Sequence, residues 1–298
     1  MSLRHSLFAV SAIAAVAALS ACNNDSLPDP SNPSGPVPTG NVVALSTSGK
    51  VLTFNRGDLT KLVSSVNIRG LKSGEQFLGL DVRPQDSTIY GVTNQANIYT
   101  LDDSTGQATL KVALTAGAAT TATCAGGAPA AFSGLSGTEF ALDFNPPADR
   151  LRLASNTGQN LRINVADGVT IVDCPISFAS GTGTPQPSGA AYTNSVNPVV
   201  AANGTELYYI DANDNMLYEI DTTDGKNANT GVLVPVGPLG VDIGEVNGYD
   251  IEGSTRTGYL VATVNGTATL YTVNNDTGAA TARVSFAAGE VLRGISLK

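Results

Sequence analysis

The sequence predicts an all-β propeller, with five four-stranded sheets, or blades, arranged around a central axis. Three observations predict it. A strand–turn–strand unit recurs five times between residues 42 and 274, a short strand precedes four of the copies, and the last residues repeat the pattern of that short strand. The body of the chain shows no strong helical period. Because a propeller blade takes about 40 to 50 residues, residues 41–298 hold five blades with room for loops.

Each copy of the recurring unit is predicted to be a β-hairpin. Its two runs are rich in β-branched and aromatic residues, and Asn, Asp and Gly fill the turn between them. The fourth copy is typical, with runs at 207–210 and 217–221 on either side of a polar turn. A further strand follows most copies, as at 108–114 and 281–286. The other four copies begin at Val42, Ile89, Leu151 and Tyr259.

The first hairpin lacks the short preceding strand, because a proline-rich segment comes before it. Residues 294–298 carry the missing pattern at the other end of the chain. We therefore predict that this segment pairs with the first hairpin and closes the ring of blades without a free sheet edge. Three alternatives stay open: a six-bladed ring in which an insert forms part of a blade, a β-sandwich, and a solenoid of lower symmetry.

Two inserts lengthen the spacing between repeats and are expected to share one face of the propeller. They cover residues 115–137, rich in Ala, Thr and Gly, and residues 175–189. Cys124 lies in the first insert, and Cys174 directly precedes the second. In an oxidising compartment these cysteines either form a disulfide or stay separate thiols, since the sequence does not give the distance between their Cα atoms.

The N-terminus is predicted to direct export. An apolar run at 7–19 has the length of a signal-peptide core and is too short for a permanent membrane span. It ends in a Leu-Ser-Ala-Cys sequence whose cysteine is Cys22, and this sequence resembles the lipobox of bacterial lipoproteins. The resemblance implies cleavage before Cys22 and acylation of that residue with fatty acids such as palmitate. The alternative is an ordinary secretory signal with a chance cysteine.

These features divide the chain into three parts. Residues 1–21 are the predicted lipoprotein signal peptide, residues 22–40 an acylated cysteine with a proline-rich tether, and residues 41–298 the propeller domain. The tether holds five prolines and nothing that can pack a core. Asn23 follows Cys22 where an aspartate would signal retention, so we expect a lipid anchor in the outer membrane of a bacterial cell envelope, facing the periplasm or the cell surface.

Composition argues against several functions. A formal net charge of −9 argues against a nucleic-acid partner. The only histidine, His5, lies in the predicted signal peptide. Its loss excludes Ser-His-Asp and Cys-His catalysis and histidine-based zinc sites from the mature protein. With no recognisable catalytic motif either, the sequence favours a protein that is not an enzyme and that needs no cofactor.

Five positions of the short strands are candidates for a polar ring around the axis. Such a ring of oxygens suits Ca²⁺, which takes several carboxylate and carbonyl ligands. Clustered carboxylates also shift one another's pKa and serve acid–base hydrolysis, as in glycosidases. The remaining interpretation is structural, with each aspartate capping a turn or pairing with the backbone of the next blade. The candidate residues are Asp81, Asp143, Thr193, Asp250 and Ser296.

Four arginines lie in or near the same strands and are candidates for an anion site. Their planar guanidinium groups suit carboxylate or phosphate ligands. They equally suit salt bridges between blades, with Asp143 or Asp149 as partners. The four are Arg83, Arg150, Arg152 and Arg162.

Four segments carry a family resemblance. Residues 141–152 (ALDFNPPADRLR), 158–164 (GQNLRIN), 190–195 (AAYTNS) and 236–242 (VGPLGVD) resemble the bacterial family called domain of unknown function 4394. The resemblance covers most of residues 41–298. It implies an exported, propeller-like domain without an assigned activity, and it brings no catalytic residues.

Three functions remain for such a domain. The one we favour is a binding module of the cell envelope for a small ligand or a partner protein, because inserts on a rigid scaffold are common binding surfaces. The second is a carboxylate-dependent hydrolase, with or without Ca²⁺, that acts on polysaccharide. The third is a purely structural envelope protein.

Overall fold

The strands form five separate sheets, which are the blades of a propeller. A computed structural model of the chain describes residues 35–198, 204–286 and 290–298. The predicted signal peptide, Cys22 and the first part of the tether lie outside the described residues. Within those ranges the structure contains strands β1 to β22 and a single 3-10 turn, Thr223–Gly225. The all-β prediction and the five blades are confirmed.

The first three blades follow one another along the chain, except that the innermost strand of blade one comes from the C-terminus. Blade one contains β1 (Val42–Ser46), β2 (Lys50–Asn55), β3 (Asp58–Asn67) and β22 (Leu292–Leu297). Blade two contains β4 (Phe77–Arg83), β5 (Thr88–Thr93), β6 (Asn97–Asp102) and β7 (Gln107–Ala113). Blade three contains β8 (Thr115–Ala116), β9 (Phe140–Asn145), β10 (Arg150–Ser155), β11 (Asn160–Ile163) and β12 (Val169–Val172).

The last two blades repeat the arrangement. Blade four contains β13 (Ser177–Phe178), β14 (Pro187–Tyr192), β15 (Leu207–Asp211), β16 (Met216–Ile220) and β17 (Val232–Pro238). Blade five contains β18 (Asn247–Ile251), β19 (Gly258–Val264), β20 (Thr267–Val273) and β21 (Ala280–Ser285).

Five inner strands, one from each blade, surround the axis in the order β4, β9, β14, β18 and β22. Strand β22 lies beside both β18 and β4, which closes the ring. It also pairs with the first hairpin, where Ser296 lies opposite Val43 and Ile295 lies opposite Ala44. The predicted closure of the ring by the C-terminal segment is therefore confirmed.

Five apolar cores hold the blades together, one in each seam between neighbouring blades. In the seam between blades one and two, Val43 and Val51 pack with Leu80 and Tyr99. Strands in such seams are covered on both faces, so every residue of β1 is buried. This explains why the apolar runs of the sequence do not alternate with polar residues.

Blades three and four each carry a fifth strand that the sequence did not predict. Strand β8 pairs in parallel with β12, and β13 pairs in parallel with β17, each at the outer edge of its sheet. Both additions are two residues long, too short to show a strand pattern in the sequence. They supply backbone partners to outer strands that would otherwise present an open edge.

The two ends of the propeller carry different loops. Successive strands of a blade run in opposite directions. The connectors between blades therefore lie at one end of the propeller, the connector face. The turns that follow the first and third strands of each blade, counted from the axis, lie at the other end, the turn face. Both inserts are connectors between blades, so they share the connector face as expected. Val37 donates its N–H to Ser104 O in the β6–β7 turn at 3.0 Å, which places the described part of the tether at the turn face.

Candidate functional site

Three aspartates of the inner strands meet near the axis. Asp81, Asp143 and Asp250 lie on β4, β9 and β18 and are at most 4% exposed. Each contributes a carboxylate oxygen to a group in which all lie within 4.8 Å of one another. Ser296 on β22 joins them, because its hydroxyl donates to Asp81 Oδ1 at 2.6 Å. Four of the five predicted ring positions are thus brought together.

Each of these four side chains accepts a backbone N–H from the inner strand of the next blade. An inner strand is the edge of its sheet, so half of its N–H groups point away from the strand beside it and need another acceptor. The ring supplies those acceptors and so fits the structural interpretation. The contacts, from side chain to backbone nitrogen, are Asp81–Phe144 (2.7 Å), Asp143–Tyr192 (2.7 Å), Asp250–Leu297 (2.7 Å) and Ser296–Val82 (2.9 Å).

Thr193, the fifth candidate, is not part of the ring. By strand register, the place that Asp143 holds in β9 belongs to Ala191 in β14. Thr193 lies two residues further along the chain, and its Oγ1 accepts from Glu206 N at 2.9 Å. It therefore fixes the loop between β14 and β15, and the prediction that it shares the axial cluster is corrected.

Burial favours the protonated form of the axial aspartates by raising the pKa of each. It raises the pKa of Asp81 to about 6, although hydrogen bonds from Ser296 and the N–H of Phe144 favour the charged form. Burial also raises the pKa of Asp143 and of Asp250 well above the ordinary value, and the charge of Asp81 adds to both shifts. Three buried carboxylates whose oxygens lie within 4.8 Å of one another do not all ionise together, so the cluster holds at least one proton when the others are charged.

The axis beside this cluster is closed. The cavity between the inner strands measures about 10 Å³, room for about one water molecule. A Cβ atom on Gly248 would lie 2.3 Å from the Cα of Gly294, so glycine is needed for these two inner strands to come so close. A polysaccharide cannot reach the carboxylates through such a gap. The arrangement therefore does not suit the hydrolase hypothesis.

The carboxylate cluster could hold a metal ion, but the donors around it fit a shared proton better. Ca²⁺ takes about six to eight oxygen ligands. Here the inner strands bring together three carboxylates and the hydroxyl of Ser296. Backbone N–H groups already point at these oxygens, as they do at ionised or hydrogen-bonded carboxylates.

The candidate arginines on the turn face are engaged with the protein itself. Arg83 of β4 donates to both carboxylate oxygens of Asp149 across the seam between blades two and three, at 2.7 and 2.5 Å. It also pairs with Asp86 at 2.6 Å. Arg150 donates to the carbonyl oxygen of Asp149 at 2.7 Å. These contacts favour the salt-bridge interpretation over an anion site.

Arg152 is the centre of a buried polar network in the seam between blades three and four. Its side chain is 2% exposed and pairs with the fully buried Asp173 at 2.7 Å. Arg162 pairs with the other carboxylate oxygen of Asp173 at 2.9 Å. Asn229 of the β16–β17 loop accepts from Arg152 at 2.8 Å. The partner of Arg152 is thus Asp173, which the sequence did not single out, rather than Asp143.

Cys124 and Cys174 form a disulfide beside this network, with Cα atoms 5.2 Å apart. Cys174 directly follows Asp173 at the end of β12, so the bond fastens the first insert to the outer edge of the seam between blades three and four. Thr120 of the insert donates to Asp173 Oδ1 at 2.9 Å and adds a second attachment.

The structure shows a cavity on the connector face that was not predicted from the sequence. This cavity of about 380 Å³ lies in the seam between blades one and two. The β1–β2 turn, the connector before β4 and the start of β22 line it. Arg69 and Lys72 in that connector are the sequence signal, and two basic residues in a short loop are too weak a signal to predict a site.

A family model covers most of the chain. The family described as Domain of unknown function (DUF4394) matches residues 50–296. The chain belongs to this family. The resemblance seen in the sequence is thereby confirmed, and the family description assigns no activity to this DUF4394 chain. No curated protein matches it. No helix among its described residues is long and apolar enough to cross a membrane.

Several solved structures are similar to this DUF4394 chain at low identity. A protein of unknown function from Bacteroides thetaiotaomicron VPI-5482 is 14% identical, with 90% of this chain and 66% of that one covered and a TM-score of 0.48. Dihydro-heme d1 dehydrogenase NirN is 11% identical, with 85% of this chain and 45% of that one covered and a TM-score of 0.36. A chain of a nidogen/laminin complex is 12% identical, with 86% of this chain and 97% of that one covered and a TM-score of 0.49. The DUF4394 chain therefore spans less than two thirds of the length of the first two.

Proposed function

We propose that this DUF4394 chain is a binding module of the bacterial cell envelope that is anchored by a lipid on Cys22. It recognises a partner protein through the first insert, of which the part between β8 and β9, residues 117–139, is meant from here on. The observation that supports it is the fixed position of this insert. The insert contains no helix or strand, and none of its residues is buried. Connectors longer than about 12 to 15 residues without secondary structure are uncommon and usually functional.

The insert is fastened at three places although it is exposed. At its start, Gly117 N donates to Thr170 O at 2.8 Å. In the middle, the disulfide ties Cys124 to the seam between blades three and four. Near its end, Phe132 and Leu135 pack against the core between blades two and three. A loop that is ordered before it binds loses less conformational entropy on binding, which favours recognition of a partner.

The orientation of the propeller suits such a role. Residues 35–40 lie at the turn face, and both inserts lie at the connector face. In extended polyproline geometry, residues 22–40 reach roughly 55 Å at about 3.1 Å per residue. A chain anchored through Cys22 would therefore present its inserts away from the membrane, where a partner has access.

The test removes residues 118–129 and replaces Cys174 by Ala, so that no free thiol remains. Cross-linked pull-downs from the envelope fraction use the full chain as bait. We expect the unchanged protein to capture one defined partner and the deletion variant to lose it, while circular dichroism shows that the propeller is still folded. Retention of the partner by the deletion variant would overturn the proposal.

Two further variants separate the parts of the proposal. The variant Cys124→Ala with Cys174→Ala keeps every other residue of the insert but frees it, so we expect weaker capture than with the unchanged protein. If no partner is captured by the unchanged chain, the purely structural alternative is favoured instead. The variant Cys22→Ser is expected in the soluble fraction, and its retention in membranes would contradict the lipid anchor.

A further inference from the structure

The cavity in the seam between blades one and two has the size and shape of a small-molecule site. Its volume of about 380 Å³ lies within the range of about 300 to 1,000 Å³ typical of ligand pockets. It opens on the connector face, between the β1–β2 turn and the connector that follows β3. It lies in a different seam from the disulfide and its insert, so what binds here is a separate question from the partner protein proposed above.

Basic side chains at this cavity have hydrogen-bond donors that no other group uses. Arg69 and Lys72 are exposed, and among the described residues their side chains form no hydrogen bond or ion pair. Arg293 pairs through its terminal nitrogen with Glu139 at 3.3 Å, but its buried Nε–H has no partner. Two exposed cations with unused donors at one cavity, Arg69 and Lys72, contrast with the net charge of −9 of the chain. Such donors suit carboxylate or phosphate groups.

The acidic groups near the cavity do not compete for these cations, because each is already engaged. Glu75 accepts hydrogen bonds from Tyr99, from Asn97 at 2.5 Å and from Thr93 at 2.9 Å. Its second oxygen also accepts the N–H of Lys72 at 3.0 Å, which fixes the backbone of the connector.

A second acidic group, Glu290, is neutralised by an ion pair beside the β1–β2 turn. It pairs with Lys50 and accepts from Ser46 at 2.7 Å. Together with the pairing of Glu139, these contacts leave Arg69 and Lys72 without an ion-pair partner among the described residues.

The other wall of the cavity is apolar. Leu45, Phe77 and Leu71 line it together with Ile68. A ligand that fills the cavity therefore carries an apolar body as well as an anionic group. The cavity on the turn face of blade five, about 430 Å³, differs in this respect. There Arg256 is paired with Glu206, and the lining is mostly polar.

We propose that this seam binds a small organic anion, in which a carboxylate or phosphate group meets Arg69 and Lys72 and a short apolar body lies against Phe77 and Leu45. The two anionic groups share one recognition chemistry, and the probes below distinguish them. The proposal does not depend on the insert, so the deletion variant described above is expected to bind these probes unchanged.

The test is isothermal titration calorimetry of the purified full chain with four probes. Phenyl phosphate and phenylacetate carry both an anion and an apolar body, inorganic phosphate carries only the anion, and 2-phenylethanol carries only the body. We expect at least one of the first two to bind about tenfold more tightly than either partial probe. Raising the ionic strength is expected to weaken that binding. Failure of both complete probes to bind at millimolar concentration, or equal binding by 2-phenylethanol, would overturn the proposal.

A charge-matched pair of variants locates the binding. Arg69→Gln with Lys72→Gln removes the two free cations, and we expect the affinity for the better probe to fall by about tenfold or more. Lys61→Gln with Lys111→Gln removes the same charge from exposed positions on β3 and β7, and the affinity is expected to stay within about twofold. Equal loss in both variants would show a general charge effect and would also overturn the proposal.

Discussion

The seam between blades three and four and the seam between blades one and two use basic residues in opposite ways. In the seam between blades three and four, Arg152 is buried, and its guanidinium group donates hydrogen bonds to Asp173, Asn160 and Asn229. In the seam between blades one and two, Arg69 and Lys72 are exposed beside a cavity and have no side-chain partner among the described residues.

This difference teaches that burial and partners, rather than sequence motifs, indicate what a cation does here. A charge inside a seam needs a full set of partners, because losing one leaves its counterpart buried and unpaired. A charge at the rim of a cavity needs none, since water solvates it until a ligand arrives. The arginines within the family-specific segments are therefore structural, and the basic residues outside them are the better candidates for binding.

The largest expected effect is the loss of the buried pair. Arg152→Met removes the guanidinium group and leaves Asp173, which is fully buried, with Arg162 and Thr120 as its remaining side-chain partners. We expect the free energy of unfolding to fall by about 3 to 5 kcal/mol, the usual cost of breaking a buried ion pair on one side. Urea denaturation followed by circular dichroism measures it.

The matched control is an exposed ion pair of the same type. Arg256 and Glu206 form a salt bridge with side chains 45% and 41% exposed. The variant Arg256→Gln is expected to change the free energy of unfolding by less than about 1 kcal/mol. If Arg152→Met costs no more than this control, the buried network does not hold the seam. If Arg152→Met does not fold at all, Asp173→Asn is the milder variant, because it keeps the shape of the side chain.

The sequence predicts the repeated features of the fold because each is local. Hairpins follow from apolar runs on either side of turn residues. The turn at Asn265 and Gly266 is an example, because their φ values of 49° and 77° suit a two-residue type I′ turn. The closing strand was predictable too, since residues 294–298 match the missing inner strand.

Features that depend on how blades pack were not predictable. Thr193 looked equivalent to the axial aspartates because it was the nearest polar residue, whereas the register gives that place to Ala191. The pairing of Arg152 with Asp173 joins two strands of one blade at its contact with the next, which no spacing rule describes. The cavity arises where a turn, a connector and the start of β22 meet, so its residues share no pattern in the chain.

A smaller effect is expected from pH, and it tests whether burial also governs the axial aspartates. In the folded protein the pKa of Asp81 is about 6, above its ordinary value of 3.8. The folded state therefore keeps protons that the unfolded chain releases above about pH 4. The stabilising contribution is complete below pH 4 and is lost as the pH rises through 6. From Asp81 alone we expect the free energy of unfolding to fall by about 2 to 3 kcal/mol between pH 4 and 8, and the raised pKa values of Asp143 and Asp250 add to this fall.

Two comparisons isolate this effect. His5 is the only histidine, so in a protein that starts at Cys22 no side chain with an ordinary pKa titrates between about pH 5 and 8. Asp143→Asn imitates the protonated acid, since its amide can donate to Asp81 while its oxygen accepts from Tyr192, so this variant should show a flatter pH dependence. An unchanged dependence of the free energy of unfolding on pH would contradict the role of the cluster.

A rise in melting temperature on adding Ca²⁺ at pH 8, absent from Asp143→Asn, would show instead that the carboxylates bind metal.

The smallest expected effect concerns the free cations at the cavity. Arg69→Gln with Lys72→Gln removes no contact between side chains, so we expect the free energy of unfolding to change by less than about 0.5 kcal/mol. With phenyl phosphate at ten times its dissociation constant, the unchanged protein should gain about 1.4 kcal/mol of stability, and the variant, which binds about tenfold more weakly, about 0.4 kcal/mol. A loss above about 1.5 kcal/mol without ligand would mean that these charges support the seam, as Arg152 does, and the contrast between the two seams would fail. The contrast between the two seams therefore requires two results for Arg69 and Lys72: their replacement leaves the stability of the free protein unchanged, and it weakens the binding of an anion.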